Sequence, residues 1–365
     1  MENNLFFRDR DMNAKVISLF NHKGGVSKTT TAFHLGWTMA EKGLKVLIVD
    51  ADPQCNLTGY ALGLGDDEDL FSFYEKKTND DIYNAIKPLF KGINMTITGA
   101  TPSKTKHENL FLLAGNLELA EIDTQLAAGL ATGDYFIFAK QFIGAFNALI
   151  RLTAQKGDFD IVIIDMSPSI SALNRCLIMG SDYFIIPTSP DFYCYQAIQS
   201  LSKLLPAWEK EFRDFRDSSI TNSLPKSSPQ MLGVISQNYR PRKTSLKKTD
   251  ITRAFQKWID KIKNTTNQEL VPALEKVNMI IDRNIFLEYC KHDTPYNLVN
   301  IPTFNTLIAV AQDCNKPVFA LTDKEINLTG NSLENTQENR EKFKNLFYEL
   351  TDSILQMIGF KKKDS

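Results

Sequence analysis

The run His22-Lys23-Gly24-Gly25-Val26-Ser27-Lys28-Thr29-Thr30 combines the groups needed to hold a chain of phosphates. Small residues let backbone N–H groups approach phosphate oxygens, and a helix opening behind them adds its positive end. At this spacing Lys28 would reach β and γ phosphates, and the Thr29 hydroxyl would ligate Mg²⁺. The common pattern GxxxxGK[ST] is not met, because its two glycines fall on His22 and Ser27. KGGxxKT remains, with an additional lysine, Lys23, just before the glycine pair. A glycine turn capping a helix with incidental lysines is the bland alternative. The flanking strand and helix patterns argue against it.

Two further stretches bring carboxylates. Val49-Asp50-Ala51-Asp52-Pro53-Gln54 sets two acids just past an apolar run. Ligands of open parallel sheets bind at the carboxyl ends of strands, so both acids should face the loop. An Asp-Pro turn ending a strand is the plainer reading of that piece alone. Phe159 to Asp165 reads as a buried strand ending in an acid, which suits Asp165 to hold Mg²⁺ through water.

Such groups need a frame. Val16–Phe20 and Val46–Val49 are short apolar runs with Thr29–Glu41 between them as a helix, stopped by Lys42-Gly43. Parallel strands require that kind of crossover. Ile161–Ile164, Tyr183–Ile186, Met231–Ser236 and Pro317–Leu321 complete the candidate strands, and Ile170–Met179 a second helix. The pattern predicts an α/β fold with a mostly parallel sheet flanked by helices on both faces. One domain is expected over 15–360, with insertions around 65–135 and 264–300, an extension over 1–14 and a basic tail over 361–365. Phe343, Leu346, Phe347, Leu350, Ile354 and Met357 recur at helical spacing near the end.

With these motifs in place, the chain resembles the ParA/MinD family of deviant Walker ATPases, which carry Lys-Gly-Gly-Val-x-Lys-Thr at the loop. The likeness continues through Gln54, Asn56, Leu57 and Thr58, through Ile185-Ile186-Pro187, and through Gly233 to Asn238. Ser27 and Cys55 stand where the family usually has glycine, which bears on the local backbone because glycine tolerates angles that serine does not. The resemblance implies a P-loop NTPase fold with ATP and Mg²⁺ as cofactors. It implies that Gly24, Gly25, Val26, Ser27, Lys28, Thr29 and Thr30 hold the nucleotide and Asn238 contacts the adenine. It casts Lys23 as a signature lysine that reaches the nucleotide of the other subunit in an ATP-bound homodimer. Asp52 would position or activate the attacking water, and Asp50 would support the Mg²⁺ shell set by Thr29 and Asp165. Hydrolysis to ADP and phosphate would be slow and stimulated by a partner protein.

The output is less plain. Net charge is −1, so no global field draws the chain to nucleic acid. Locally, Arg240, Arg242, Lys243, Lys247 and Lys248 continue into Arg253 and Lys257 with one acid, Asp250, among them. Such charges give non-specific DNA affinity, although a solvated helix face explains them too. ParA behaviour favours DNA in the ATP state, hence partition of plasmids or chromosomes or positioning of cargo. A cytoplasmic place is expected, with nucleoid association if DNA binding holds, because the start lacks a signal-peptide pattern and no run would span a bilayer. Fourteen residues ahead of the first strand are too few for a helix-turn-helix. The five cysteines are widely spaced, which speaks against disulfides or zinc. Two other outputs compete. MinD-like membrane attachment would use the C-terminal stripe, but that stripe has few basic flanks and is expected to pack on the core. Regulation of a partner protein in defence or signalling would draw on the region between 65 and 158.

Overall fold

A computed structural model describes residues 6–7, 13–64, 72–75, 81–132, 137–239, 250–290, 294–304 and 306–362. Eight strands form its main sheet: β1 Lys15–Leu19, β2 Val46–Ala51, β3 Ser103–Lys104, β4 Leu110–Leu113, β5 Ile161–Met166, β6 Tyr183–Thr188, β7 Gln230–Tyr239 and β8 Asn297–Pro302. Their spatial order is β3-β4-β2-β5-β1-β6-β7-β8, and only the short β3–β4 pairing is antiparallel. Every residue of β2 and of β5 is buried, as strands covered on both faces require.

The crossovers explain the two layers. β1 leads through helix α1, Lys28–Glu41, to β2 on one side, with helix α2, Asn56–Leu62, following β2. β5 leads through helix α3, Ala172–Gly180, to β6 in the opposite direction. Right-handed crossovers that run opposite ways leave their helices on opposite faces. Helix α4, Phe192–Phe212, packs with α3, while the long C-terminal helix α5, Gly330–Met357, packs on α1. The direction in which strands are added to the sheet thus reverses around β1, and the crevice beyond its carboxyl end is where such sheets bind ligands. Gly36 lets α1 sit close to the sheet, since a Cβ there would lie 2.8 Å from Ile48 Cγ2.

Several expectations change in detail. Pro317–Leu321 is not a strand; it holds a 3₁₀ turn, Val318–Ala320. The Val318 N–H goes to His34 Nε2 at 3.0 Å, and a helical capping box follows at Thr322, so the segment turns instead of joining a ladder. The stretches expected to hold insertions supply sheet strands, β3 and β4 in the first and the start of β8 in the second. The polar excursion after α4 is pinned by Arg216, which donates to Glu209 Oε2 at 2.8 Å and to Pro225 O at 2.7 Å. Phe6–Phe7 pairs antiparallel with Lys361–Lys362, joining the N-terminal extension to the basic tail.

The C-terminal stripe is interior. Phe343, Phe347, Leu350 and Ile354 are all buried. Each contributes about 1.5–3 kcal/mol by leaving water, so peeling α5 away would cost an amount comparable with a whole domain's stability. No described helix is long and apolar enough to cross a membrane.

Candidate active site

β1 delivers Asn21 to the carboxyl edge of the sheet, and the loop folds around it. Asn21 Nδ2 donates to Pro187 O at 2.8 Å, its Oδ1 accepts from Lys23 N at 3.0 Å, and its carbonyl accepts from Lys28 Nζ at 3.0 Å. Gly25 (φ 73°) and Ser27 (φ 56°) both take left-handed backbone angles, which turn successive amides into a concave anion seat. Cys55, just before α2, repeats the feature with φ 55°. Both departures from the family's glycine therefore keep glycine-like geometry, at a cost of about 1–2 kcal/mol each for an L-residue. Val26 is buried beneath the loop, and the Thr30 carbonyl accepts from His34 Nδ1 at 2.8 Å.

The two lysines face different ways. Lys28 is enclosed, with its Nζ also 3.4 Å from Lys23 O. Burial pushes the Lys28 pKa down, against the opposing pull of Asp165 and Asp52. Phosphate oxygens would relieve that desolvation with matching charge. Lys23 turns outwards, and its Nζ donates to Asp191 Oδ2 at 2.6 Å. Asp191 is the N-cap of α4, where its Oδ1 accepts from Cys194 N at 2.9 Å.

The acids gather on the opposite wall. Asp50 and Asp165 are register partners across β2 and β5. Thr29 Oγ1 donates to Asp165 Oδ2 at 2.6 Å, whereas Asp165 Oδ1 is buried without a hydrogen-bond partner among the described residues. Asp50 is fully enclosed: its Oδ2 accepts from Thr58 N at 2.8 Å and Thr58 Oγ1 at 2.7 Å, and its Oδ1 from Asp52 N at 3.2 Å. Burial lifts the Asp50 pKa to about 6 against those bonds. Burial and then the neighbouring Asp50 charge also raise Asp165. Crowded carboxylates with a vacant oxygen beside a threonine hydroxyl are hard donors of the kind Mg²⁺ takes, and its charge would offset their repulsion. The residues present fit that ion. Asp52 borders the cleft, with its Oδ1 accepting from Gln54 N at 3.0 Å.

A cleft of about 510 Å³ opens over the loop, running from Gly24 to Thr30 past Asp52 and Tyr60 to Gln312 and Asn315, with Asp50 and Asp165 buried behind its wall. That volume suits a nucleotide-sized ligand. The fold thus brings together Lys28, Thr29, Asp50, Asp52 and Asp165, and sets Lys23 apart from them. The side chain of Asn238 lies outside the described residues, as do Arg240, Arg242, Lys243, Lys247 and Lys248 altogether. Sequence reasoning missed Asn21 and Asp191 and gave Thr58 no role. Asn21 carries a local signal, a polar residue between strand and loop. Asp191 carries none, being 168 residues from Lys23.

Residues 14–216, more than half of the chain, match the AAA domain family AAA_31. The chain belongs to that family. Its relatives are of the ParA/MinD type expected from the loop. The sporulation initiation inhibitor protein Soj of Bacillus subtilis is 31% identical over 192 residues, covering 52% of this chain and 63% of Soj. The chromosome partitioning protein ParA of Myxococcus xanthus is 27% identical over 188 residues, covering 52% and 56%. The match therefore spans less than two-thirds of the length of these AAA-domain relatives. Among solved structures, Cyanothece McdA in complex with ATP aligns with a TM-score of 0.56 and 18% identity, over 97% of this chain and 99% of that one. The structure of pNOB8 ParA bound to nonspecific DNA aligns with a TM-score of 0.54 and 18% identity, over 94% and 98%. At such identity the likeness is one of fold, and that fold is the P-loop NTPase arrangement of an AAA_31 member.

Proposed function

We propose that this chain is a Mg²⁺-dependent ATPase that closes into a homodimer with ATP, binds DNA without sequence preference in that state, and lets go after hydrolysis. The convergence of Lys28, Thr29 and Asp52 on one cleft, with Asp165 bonded directly behind Thr29, carries this reading. The relatives' names and the ATP and DNA complexes of proteins sharing the fold support it. Such a switch suits partition of plasmids or chromosomes, or positioning of cargo.

In this reading the loop amides from Gly24 to Thr30 and the Lys28 ammonium bind the phosphates. Thr29 and Asp165 would hold Mg²⁺, which supplies charge to neutralise the phosphates. Asp50 supports that shell from behind, because it fixes the Asp52 backbone and, through Thr58, the start of α2. Asp52 is the least enclosed of the three acids, at 8% exposure against 0% for Asp50 and 1% for Asp165. It orients the attacking water, and positioning is most of what phosphoryl transfer asks of a protein. Lys23, outside its own loop, serves the partner's nucleotide, and Asn238 the adenine. A partner protein stimulates the slow hydrolysis. Arg240, Arg242, Lys243, Lys247 and Lys248 meet the DNA phosphates, which places the ATP form on the nucleoid of the cytoplasm.

The test is electrophoretic DNA binding with ATP, with ADP and without nucleotide, across a salt series. Binding is expected with ATP only. If all five basic residues neutralise phosphates, log affinity should fall against log salt with a slope of about −4 to −5 per subunit. Nucleotide-independent binding, or none in any state, overturns the DNA output and leaves regulation of a partner protein as the use of the same ATPase.

A further inference from the structure

Lys23 is already engaged in the lone subunit. Its ammonium lies 2.6 Å from Asp191 Oδ2, in a pair whose side chains are 23% and 35% exposed. That is open enough to part without disturbing the core and enclosed enough to hold. Meanwhile Asp191 Oδ1 keeps a separate task, the cap on Cys194 N, so the carboxylate stays fixed whether or not Lys23 remains. Ser189 N donates to Cys194 Sγ at 3.1 Å and Asp191 N to Ser189 O at 2.8 Å, which further fixes the turn carrying the acid. The geometry points to Asp191 as a cis latch on Lys23 that sets the threshold for nucleotide-driven dimerisation.

The inference rests on the proposed trans role of Lys23. An ammonium neutralised by its own carboxylate attracts a partner's phosphates weakly, and the carboxylate itself repels them. Closure must therefore part the pair, and a symmetric dimer parts two. A partly exposed ion pair biases an equilibrium about two- to five-fold. Two of them bias dimerisation about four- to 25-fold. Asp191 is thus a positioning residue, acting through Lys23 and not on the nucleotide.

Asparagine caps helices as well as aspartate does, so Asp191→Asn removes the charge and keeps the cap. Asp191→Ser, another capping residue, guards against an effect peculiar to the amide. Dimerisation would be followed by sedimentation equilibrium with Mg²⁺ and a non-hydrolysable ATP analogue, over a range of protein concentration. Both variants should dimerise at a concentration about four- to 25-fold lower than wild type, and the difference should shrink in high salt as the wild-type pair is screened. In a Lys23→Ala background, Asp191→Asn should add nothing. An unchanged or higher midpoint in both variants, with normal thermal unfolding, overturns the latch. So does an equal shift with and without Lys23. A Lys23→Ala protein that dimerises like wild type instead overturns the trans role beneath it.

Discussion

His34 ties the glycine loop to Val318 through one neutral ring. Its Nδ1–H donates to Thr30 O at 2.8 Å, and its Nε2 accepts the Val318 N–H at 3.0 Å. An amide can only donate, so Nε2 must be bare and the proton must sit on Nδ1. The ring is 0% exposed among Tyr60, Phe304, Phe319 and Phe347, and burial holds its pKa down at about 3. The unfolded chain protonates this histidine near about pH 6.5. Its stabilising contribution is therefore whole above that pH and is lost as pH falls towards the folded value. At about pH 5 the unfolded state gains about 2 kcal/mol from the proton and the folded state gains almost nothing. Asp50, lifted to about 6, works the other way, because acid favours the fold that keeps it protonated. A wild-type profile alone would mix these terms.

The comparison with His34→Phe separates them. Phenylalanine fills the aromatic cage and does not titrate, but it strands the Val318 N–H, so the variant should start about 1–3 kcal/mol less stable near about pH 7.5. By about pH 5 the gap to wild type should narrow by about 2 kcal/mol. Urea unfolding of both proteins, followed by tryptophan fluorescence across that range, measures the gap directly. A gap that stays constant with pH refutes the buried neutral histidine.

Two other substitutions probe the loop. Ser27→Gly should stabilise the protein by about 1 kcal/mol in urea unfolding, because glycine adopts the left-handed angle without strain and the serine side chain makes no capping bond. A loss of stability would mean that the hydroxyl serves the loop in some other way. Lys28→Ala should abolish binding of a fluorescent ATP analogue in equilibrium titration, since the Lys28 ammonium is held inside the loop whereas that of Lys23 is turned to Asp191. Retained affinity would show that the backbone amides suffice alone.

Much of the frame is legible because its signals are local. β1, β2, β5 and β6 are apolar runs bounded by polar residues, and burial on both faces produces that pattern. The loop's lysines and threonine are consecutive with a helix start. β4 and β8 are harder. Leu110–Leu113 has four residues, and Asn297–Pro302 is broken by Asn300 and Pro302, so only pairing with β2 and β7 makes them strands. Pro317–Leu321 misleads for the converse reason, being an apolar run that forms a 3₁₀ turn and whose Val318 N–H goes to His34. Asp191 was hidden because its partner is distant in the chain and its own surroundings read as a helix cap.

Ser27 and Cys55 show how a departure from a motif can leave the site intact. Each precedes a helix that opens onto the cleft, and each is held by bonds that do not involve its side chain's identity. The Ser27 carbonyl accepts from Thr31 N at 2.9 Å and Thr31 Oγ1 at 2.7 Å. Cys55 N donates to Asp52 O at 2.9 Å, and its carbonyl accepts from Gly59 N at 3.0 Å. Two bonds of about 1 kcal/mol each offset a left-handed penalty of about 1–2 kcal/mol, once the helix beyond is already packed. Surrounding structure thus holds the angle that glycine would take freely. In the proposed phosphate seat, what Ser27 has to supply is the direction of an amide, and backbone geometry meets that requirement, not the residue the motif names.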